Sequence, residues 1–171
     1  MQFEKLIDKK ELNETIREMG SSISNYYNKD TTLVVLCVLK GSLLFTSDLI
    51  REINLNMNVE FLDITSYKGK ERGDIQMKSS IDFMVKGKEI LVIEDIVDSG
   101  NTINYITKQL KENNPKSIKV ATLLFKPDAY NFDMKIDWIG FNIKNKFVVG
   151  YGLDYNELYR NKKSIYKLNE E

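Results

Sequence analysis

Residues 89–102 read EILVIEDIVDSGNT. Ile90, Leu91, Val92 and Ile93 make a short aliphatic run, too brief for a helix and apolar at every position, as expected of a strand covered on both faces. The spacing predicts a strand over 89–95. Ile103, Ile106 and Leu110 then recur on one helical stripe, so strand, glycine turn and helix follow in order. In open parallel sheets ligands sit outside the carboxyl ends of the strands, where Glu94 and Asp95 lie. A glycine turn feeding a helix aims consecutive N–H groups outward with the helix dipole behind them. Ser99, Gly100, Asn101 and Thr102 therefore form a candidate phosphate cradle, with the Ser99 and Thr102 hydroxyls as added donors; the same pattern also serves as a plain helix cap. An anion in that turn stands beside Asp98 and needs a cation or a sugar between them. Adjacent carboxylates repel, and they settle by sharing a proton or by accepting from hydroxyls and from the water shell of Mg²⁺. A phosphorylated sugar with Mg²⁺ meets both needs: phosphate in the turn, ring hydroxyls at Glu94 and Asp95, and Asp98 facing the reactive end of the ring.

The pattern repeats on either side of this unit. LVVLCVL (33–39) is a second apolar run followed by the helical LLFTSDLIREI, VEFLDIT (59–65) a third strand, and SIKVATLLF (117–125) a fourth, with Pro115 just past the preceding helix. Before them, Asp8 and Glu11 stand at capping-box spacing, and Leu12, Ile16, Met19 and Ile23 mark an amphipathic helix ending near Tyr27. Strands alternating with helices predict an α/β fold with a mostly parallel sheet. WIGF (138–141), FVVG (147–150) and SIYKL (164–168) read as edge strands or as an added lobe. The 66–80 stretch, SYKGKERGDIQMKSS, has charge and glycine but little periodicity, the signature of a long functional loop.

Composition narrows the chemistry. A chain of 171 residues, 42% hydrophobic and 29% charged, is sized for a single domain over 1–171 with a real core. Lys plus Arg and Asp plus Glu are both 25, so no basic field exists to gather nucleic acid or anionic lipid. The absence of histidine excludes imidazole zinc sites and a histidine base, leaving carboxylates, lysines and tyrosines for proton transfer. One cysteine, Cys37, in an apolar run fits a buried hydrophobe and a reducing compartment. No run approaches the roughly 20 apolar residues that span a bilayer, and no signal pattern opens the chain; the expected address is the cytoplasm. Other phosphate motifs fail: Lys40-Gly41-Ser42 ends like a Walker A loop, but Leu36 stands where its first glycine belongs, and Gly150-Tyr151-Gly152 lacks the third glycine of a dinucleotide fingerprint.

VIEDIVDSGNT resembles the phosphoribosyl-diphosphate signature of type I phosphoribosyltransferases, and its Glu-Asp pair with Asp98 resembles the hypoxanthine-guanine branch. Four further pieces match that branch in order: LKGS (39–42), Ser66-Tyr67 opening the long loop, KPD (126–128) and FVVGYGLDYNELYRN (147–161). The resemblance implies a type I phosphoribosyltransferase fold, a central mostly parallel sheet flanked by helices with a small hood lobe built from the chain ends. It implies that Lys40 and Gly41 hold diphosphate through backbone amides, next to a Leu39–Lys40 peptide that is cis in many relatives, and that Arg160 meets the same group. Glu94, Asp95, Asp98, Ser99, Gly100, Asn101 and Thr102 would bind the phosphoribosyl part. Lys126 would donate to a 6-oxo group, Phe147 stack on the purine, Leu153 close its other face and the Val148 carbonyl accept from an exocyclic amine. Asp154 would lie beside the base and ligate a second Mg²⁺; Glu94 and Asp95 would serve the first.

The activity so implied joins hypoxanthine or guanine to 5-phosphoribosyl 1-diphosphate, giving IMP or GMP and diphosphate, with Asp98 managing the purine proton and the loop opened by Ser66 and Tyr67 as a lid. That loop carries KGKERGD where relatives are rich in Ser and Thr. Family habit implies a homodimer or homotetramer. Rival readings are a transferase of the same fold for another base such as xanthine, and a non-catalytic regulator that senses nucleotides and binds RNA. The latter predicts a basic face, which the balanced charge does not support.

Overall fold

The computed structural model describes residues 2–66, 75–77 and 85–169. In chain order these form β1 (Gln2–Ile7), α1 (Lys9–Tyr26), β2 (Thr32–Leu39), α2 (Leu43–Glu52), β3 (Asn56–Ser66), β4 (Ile75–Met77), β5 (Glu89–Val97), α3 (Asn101–Glu112), β6 (Ser117–Phe125), β7 (Trp138–Asn142), β8 (Val148–Val149) and β9 (Ile165–Asn169). The main sheet runs β4-β3-β2-β5-β6-β7. Its strands β3, β2, β5, β6 and β7 are parallel, and β4 lies antiparallel on the β3 edge. A second, antiparallel sheet has the order β1-β9-β8.

The all-apolar runs take their meaning from this layering. Along β2, Leu33 and Val35 face a core shared with α1 and α2, while Val34, Leu36 and Val38 face the core under α3. Strand β5 divides in the same way, Leu91 and Ile93 on one side and Ile90 and Val92 on the other. Each fully buried aliphatic side chain contributes about 1.5–3 kcal/mol relative to exposure, so both faces hold the sheet and no polar position breaks the runs. Helix α1 begins with the expected capping box: the Asp8 carboxylate accepts from the Lys10 and Glu11 N–H groups, and Glu11 accepts from the Asp8 N–H at 2.9 Å. At Gly20 a Cβ would lie 2.5 Å from the Glu52 Cβ, so α1 and α2 cross in close contact there.

Strands β2, β3, β5 and β6 fall where the sequence predicts them, with β5 running two residues further, to Val97. The three late segments divide. WIGF becomes β7, the edge of the main sheet, while the other two supply β8 and β9 of the hood. Two strands were not foreseen. In β1 only Ile7 is buried, so it carries no alternation to read; β4 spans three positions within the stretch read as loop and is too short to show a period.

Candidate active site

Glu94 and Asp95 lie inside β5 near its carboxyl end, 8% and 9% exposed. Asp95 Oδ1 accepts from the Ile96 N–H at 2.9 Å. The Glu94 Oε2 atom is buried and meets no hydrogen-bond partner among the described residues. Burial pushes the Glu94 carboxyl well above the usual carboxylate range, and the neighbouring Asp95 charge adds to the rise. Burial also raises Asp95, opposed by a hydrogen bond with Glu94, backbone N–H groups and the Arg160 charge. A buried acceptor without a donor is costly, and a hydroxyl or a bound water would relieve this one.

Beyond β5 the chain turns through Asp98 and Ser99 into Gly100, whose φ of +86° belongs to the left-handed region. A Cβ there would also come within 2.3 Å of the Tyr130 ring, so the turn admits only glycine. Asn101 and Thr102 open α3, and no side chain caps it. The Ser99 carbonyl accepts from the Asn131 N–H at 3.2 Å. The first N–H groups of a helix have no partner within it, and with the positive end of the dipole they make this turn a candidate anion site.

Asp98 and Lys126 meet because their strands are neighbours. The parallel register pairs Val97 with Phe125, which brings the next residues of β5 and β6 side by side, and Asp98 Oδ2 lies 2.6 Å from Lys126 Nζ. Lys126 is 7% exposed, far from the solvated lysine that usually ends a strand. Its Nζ also lies 3.5 Å from Asn145 Oδ1, a residue in an irregular connection with no sequence signal of its own.

The β2–α2 connection closes the other side. The Leu39–Lys40 peptide is cis. A Cβ on Gly41 would fall 1.7 Å from Asp95 Oδ2, and one on Gly152 would fall 2.1 Å from the Gly41 carbonyl oxygen, so acid pair, loop and hood are pressed together through two glycines. Ser42, fully buried, turns its hydroxyl back to the Val38 carbonyl at 2.6 Å and leaves α2 uncapped as well.

The hood segment supplies the outer wall. Val148 and Leu153 are buried, while Phe147 is half exposed and meets Tyr155 edge-on at 5.6 Å. A cavity of about 660 Å³ has Asp95, Asp98, Lys126, Phe147, Leu153 and Asp154 among its lining residues. Arg160 donates to the Gly152 carbonyl at 2.8 Å and pairs with Asp154 at 2.8 Å and Glu157 at 3.1 Å; Lys40 also pairs with Glu157, at 3.1 Å. Tyr151, buried, donates to Asp48 and ties the hood to α2. Among the described residues no three acidic, histidine or cysteine side chains converge as a ready-made metal site. An ion here would take few protein ligands, which suits Mg²⁺ with its retained waters; the unpartnered Glu94 oxygen and the adjacent Asp95 fit such a shell. Of the lid expected over 66–80, Ser66 ends β3 and 75–77 form β4, while Tyr67 and the rest of 67–80 lie outside the described residues.

The family described as "Phosphoribosyl transferase domain" matches residues 4–156. A curated relative, the "Hypoxanthine-guanine phosphoribosyltransferase" of Bacillus subtilis (strain 168), is 40% identical over 158 residues, which cover 91% of this chain and 87% of that one. The chain belongs to the hypoxanthine-guanine phosphoribosyltransferases. Among solved structures, a hypoxanthine-guanine phosphoribosyltransferase from Bacillus anthracis with HEPES in its active site superposes with a TM-score of 0.91 at 34% identity, covering 97% of this chain and 98% of that one. The hypoxanthine phosphoribosyltransferase of Trypanosoma cruzi, in complex with the product IMP, gives 0.89 at 33% identity, covering 96% and 93%. The type I phosphoribosyltransferase fold is the one described above. In this phosphoribosyltransferase, residues 40, 94–102, 126 and 147–160 stand around one end of the main sheet. Asn145 joins them without having been singled out from the sequence, and Tyr155 and Glu157, inside the 147–161 motif, had been given no role.

Proposed function

We propose that this phosphoribosyltransferase works in purine salvage, moving the 5-phosphoribosyl group of 5-phosphoribosyl 1-diphosphate to N9 of hypoxanthine or guanine. IMP or GMP and diphosphate are the products. The observation that carries the reading is the Asp98–Lys126 pair, at 2.6 Å, in a cavity that opens beside the uncapped start of α3. A 5′-phosphate on the N–H groups of residues 99–102 places a ribose over the β5 end, where Glu94 and Asp95 accept from its hydroxyls. The C1 carbon then faces Asp98.

Lys126 is an ammonium with three donors and no acceptor. It recognises a carbonyl oxygen at purine C6 and rejects an amino group there, so adenine is excluded. When the base arrives, the ammonium turns from Asp98 to that oxygen, and the freed carboxylate takes up the purine proton, a contribution of about 10² to 10⁴ in rate. Phe147 and Leu153 hold the two faces of the ring. Arg160 and the amides of Lys40 and Gly41 meet the departing diphosphate, whose charge develops ahead of the new bond in an oxocarbenium-like transition state. Glu94, Asp95 and Asp154 would hold Mg²⁺, which would supply neutralisation of the leaving-group charge. Enclosure by the hood keeps water from capturing the sugar. The cytoplasm as address and a homodimer or homotetramer as assembly complete the proposal; no described helix is long and apolar enough to cross a membrane.

The test is a base panel. The protein with Mg²⁺ and 5-phosphoribosyl diphosphate is offered hypoxanthine, guanine, xanthine and adenine, and nucleotide is followed by absorbance. IMP and GMP form and AMP does not; AMP formation, or no nucleotide from either 6-oxopurine, overturns the reading.

A further inference from the structure

Glu157 occupies a place that the transfer reaction leaves unexplained. Its Oε2 lies 3.1 Å from Lys40 Nζ and 3.1 Å from Arg160 Nη2, bridging the β2–α2 loop and the hood. Asn156 and Glu157 are both in the left-handed region, with φ of 52° and 64°, a conformation unfavourable for residues with side chains. The Asp154 carboxylate accepts from the Glu157 N–H at 2.8 Å and holds the turn in that shape. A backbone bent this way delivers one carboxylate to two cations from different parts of the chain. The four charges, Lys40 and Arg160 against Asp154 and Glu157, already cancel before any ligand arrives. A diphosphate meeting Arg160 and the Lys40 loop would find an anion in its place, and like charges at that distance repel.

We infer that Glu157 is an intramolecular stand-in for diphosphate, holding Lys40 and Arg160 in the ligand-free enzyme and competing with the diphosphate group for them. Arriving 5-phosphoribosyl diphosphate displaces the carboxylate, and its return helps to expel the diphosphate product. The inference rests on the proposed reading that Arg160 and the Lys40 loop receive diphosphate. Asp154 stays on Arg160 throughout, since backbone fixes it; Glu157, on an exposed side chain, is free to swing.

The experiment titrates inorganic diphosphate calorimetrically into the full chain in magnesium buffer, for the wild type, E157Q and R160Q. It also measures KM for 5-phosphoribosyl diphosphate and for the base. In E157Q diphosphate binds tighter by about twofold to fivefold, the range of an exposed ion pair. The KM for 5-phosphoribosyl diphosphate falls in step and that for the base is unchanged. Unchanged or weaker diphosphate binding in E157Q, with R160Q weakened as expected, overturns the stand-in role alone and leaves Glu157 a support for Arg160. If R160Q binds diphosphate as the wild type does, the diphosphate assignment itself falls.

Discussion

The end of β5 and the hood segment 147–160 face one cavity, but different forces hold them. Glu94 and Asp95 are fixed by a central strand paired on both sides, and Asp98 by a buried lysine of the next strand. The hood wall hangs from a two-residue strand and carries Tyr151, Asn156, Glu157 and Tyr159 in the left-handed region, with Phe147 half exposed. A site built in this way separates its tasks. In the proposed reaction the rigid wall would hold the sugar and move the proton, where small displacements are expensive; the adaptable wall would grip and release the base and the diphosphate.

The sharpest test of that division is Asp98→Asn. Turnover falls by about 10²–10⁴ while KM for 5-phosphoribosyl diphosphate stays near wild type, as read by steady-state kinetics; retained turnover would move the proton elsewhere. Gly100→Ala comes next. With φ at +86° and Tyr130 against the new methyl, the turn distorts, costing about 1–3 kcal/mol of stability. Thermal melts show a lower Tm and calorimetry weaker binding of a nucleoside monophosphate. On the hood side Phe147→Ala raises KM for the base about tenfold, the loss of one stacking face, and leaves KM for 5-phosphoribosyl diphosphate alone. A change in both would blur the division.

The smallest effect concerns Glu94→Gln in the ligand-free protein. Burial lifts the folded carboxyl above its ordinary 4.5, so between those values the folded state keeps a proton that the unfolded chain has lost. The stabilisation is complete below about pH 4.5 and is lost as pH rises through the elevated folded value. Removing the group flattens this decline without abolishing it, because burial raises Asp95 as well. Tm measured from about pH 5 to 8 falls less in the variant than in the wild type; equal slopes would assign the titration to another group.

The same division governs what can be read without coordinates. Buried strands announce themselves through local apolar runs, so 33–39, 89–95 and 117–125 were legible, and the Asp8–Glu11 cap was confirmed bond for bond. The glycine turn into α3 was legible because glycine and acids sit together in sequence. Strand order is not a local property. That Lys126 is buried and touches Asp98 follows from β5 and β6 being neighbours in register, and no pattern around Lys126 says so. In the hood, FVVG and SIYKL were read as edge strands or an added lobe and supply β8 and β9, but Phe147 looks like a core aromatic and is half exposed, and β1 has one buried residue to signal it. The ordered set of family motifs took in residues 147–161 and gave Glu157 no role.

In the hood sheet β9 is the middle strand, with β1 on one side and β8 on the other. Val148 therefore finds its pairing partner, Lys167, only once synthesis has run past β9. On a translating ribosome the 98–102 turn can form while β8 is still a single unpaired strand. In the proposed reaction the wall that would hold the base is thus the last part of the cavity to be completed.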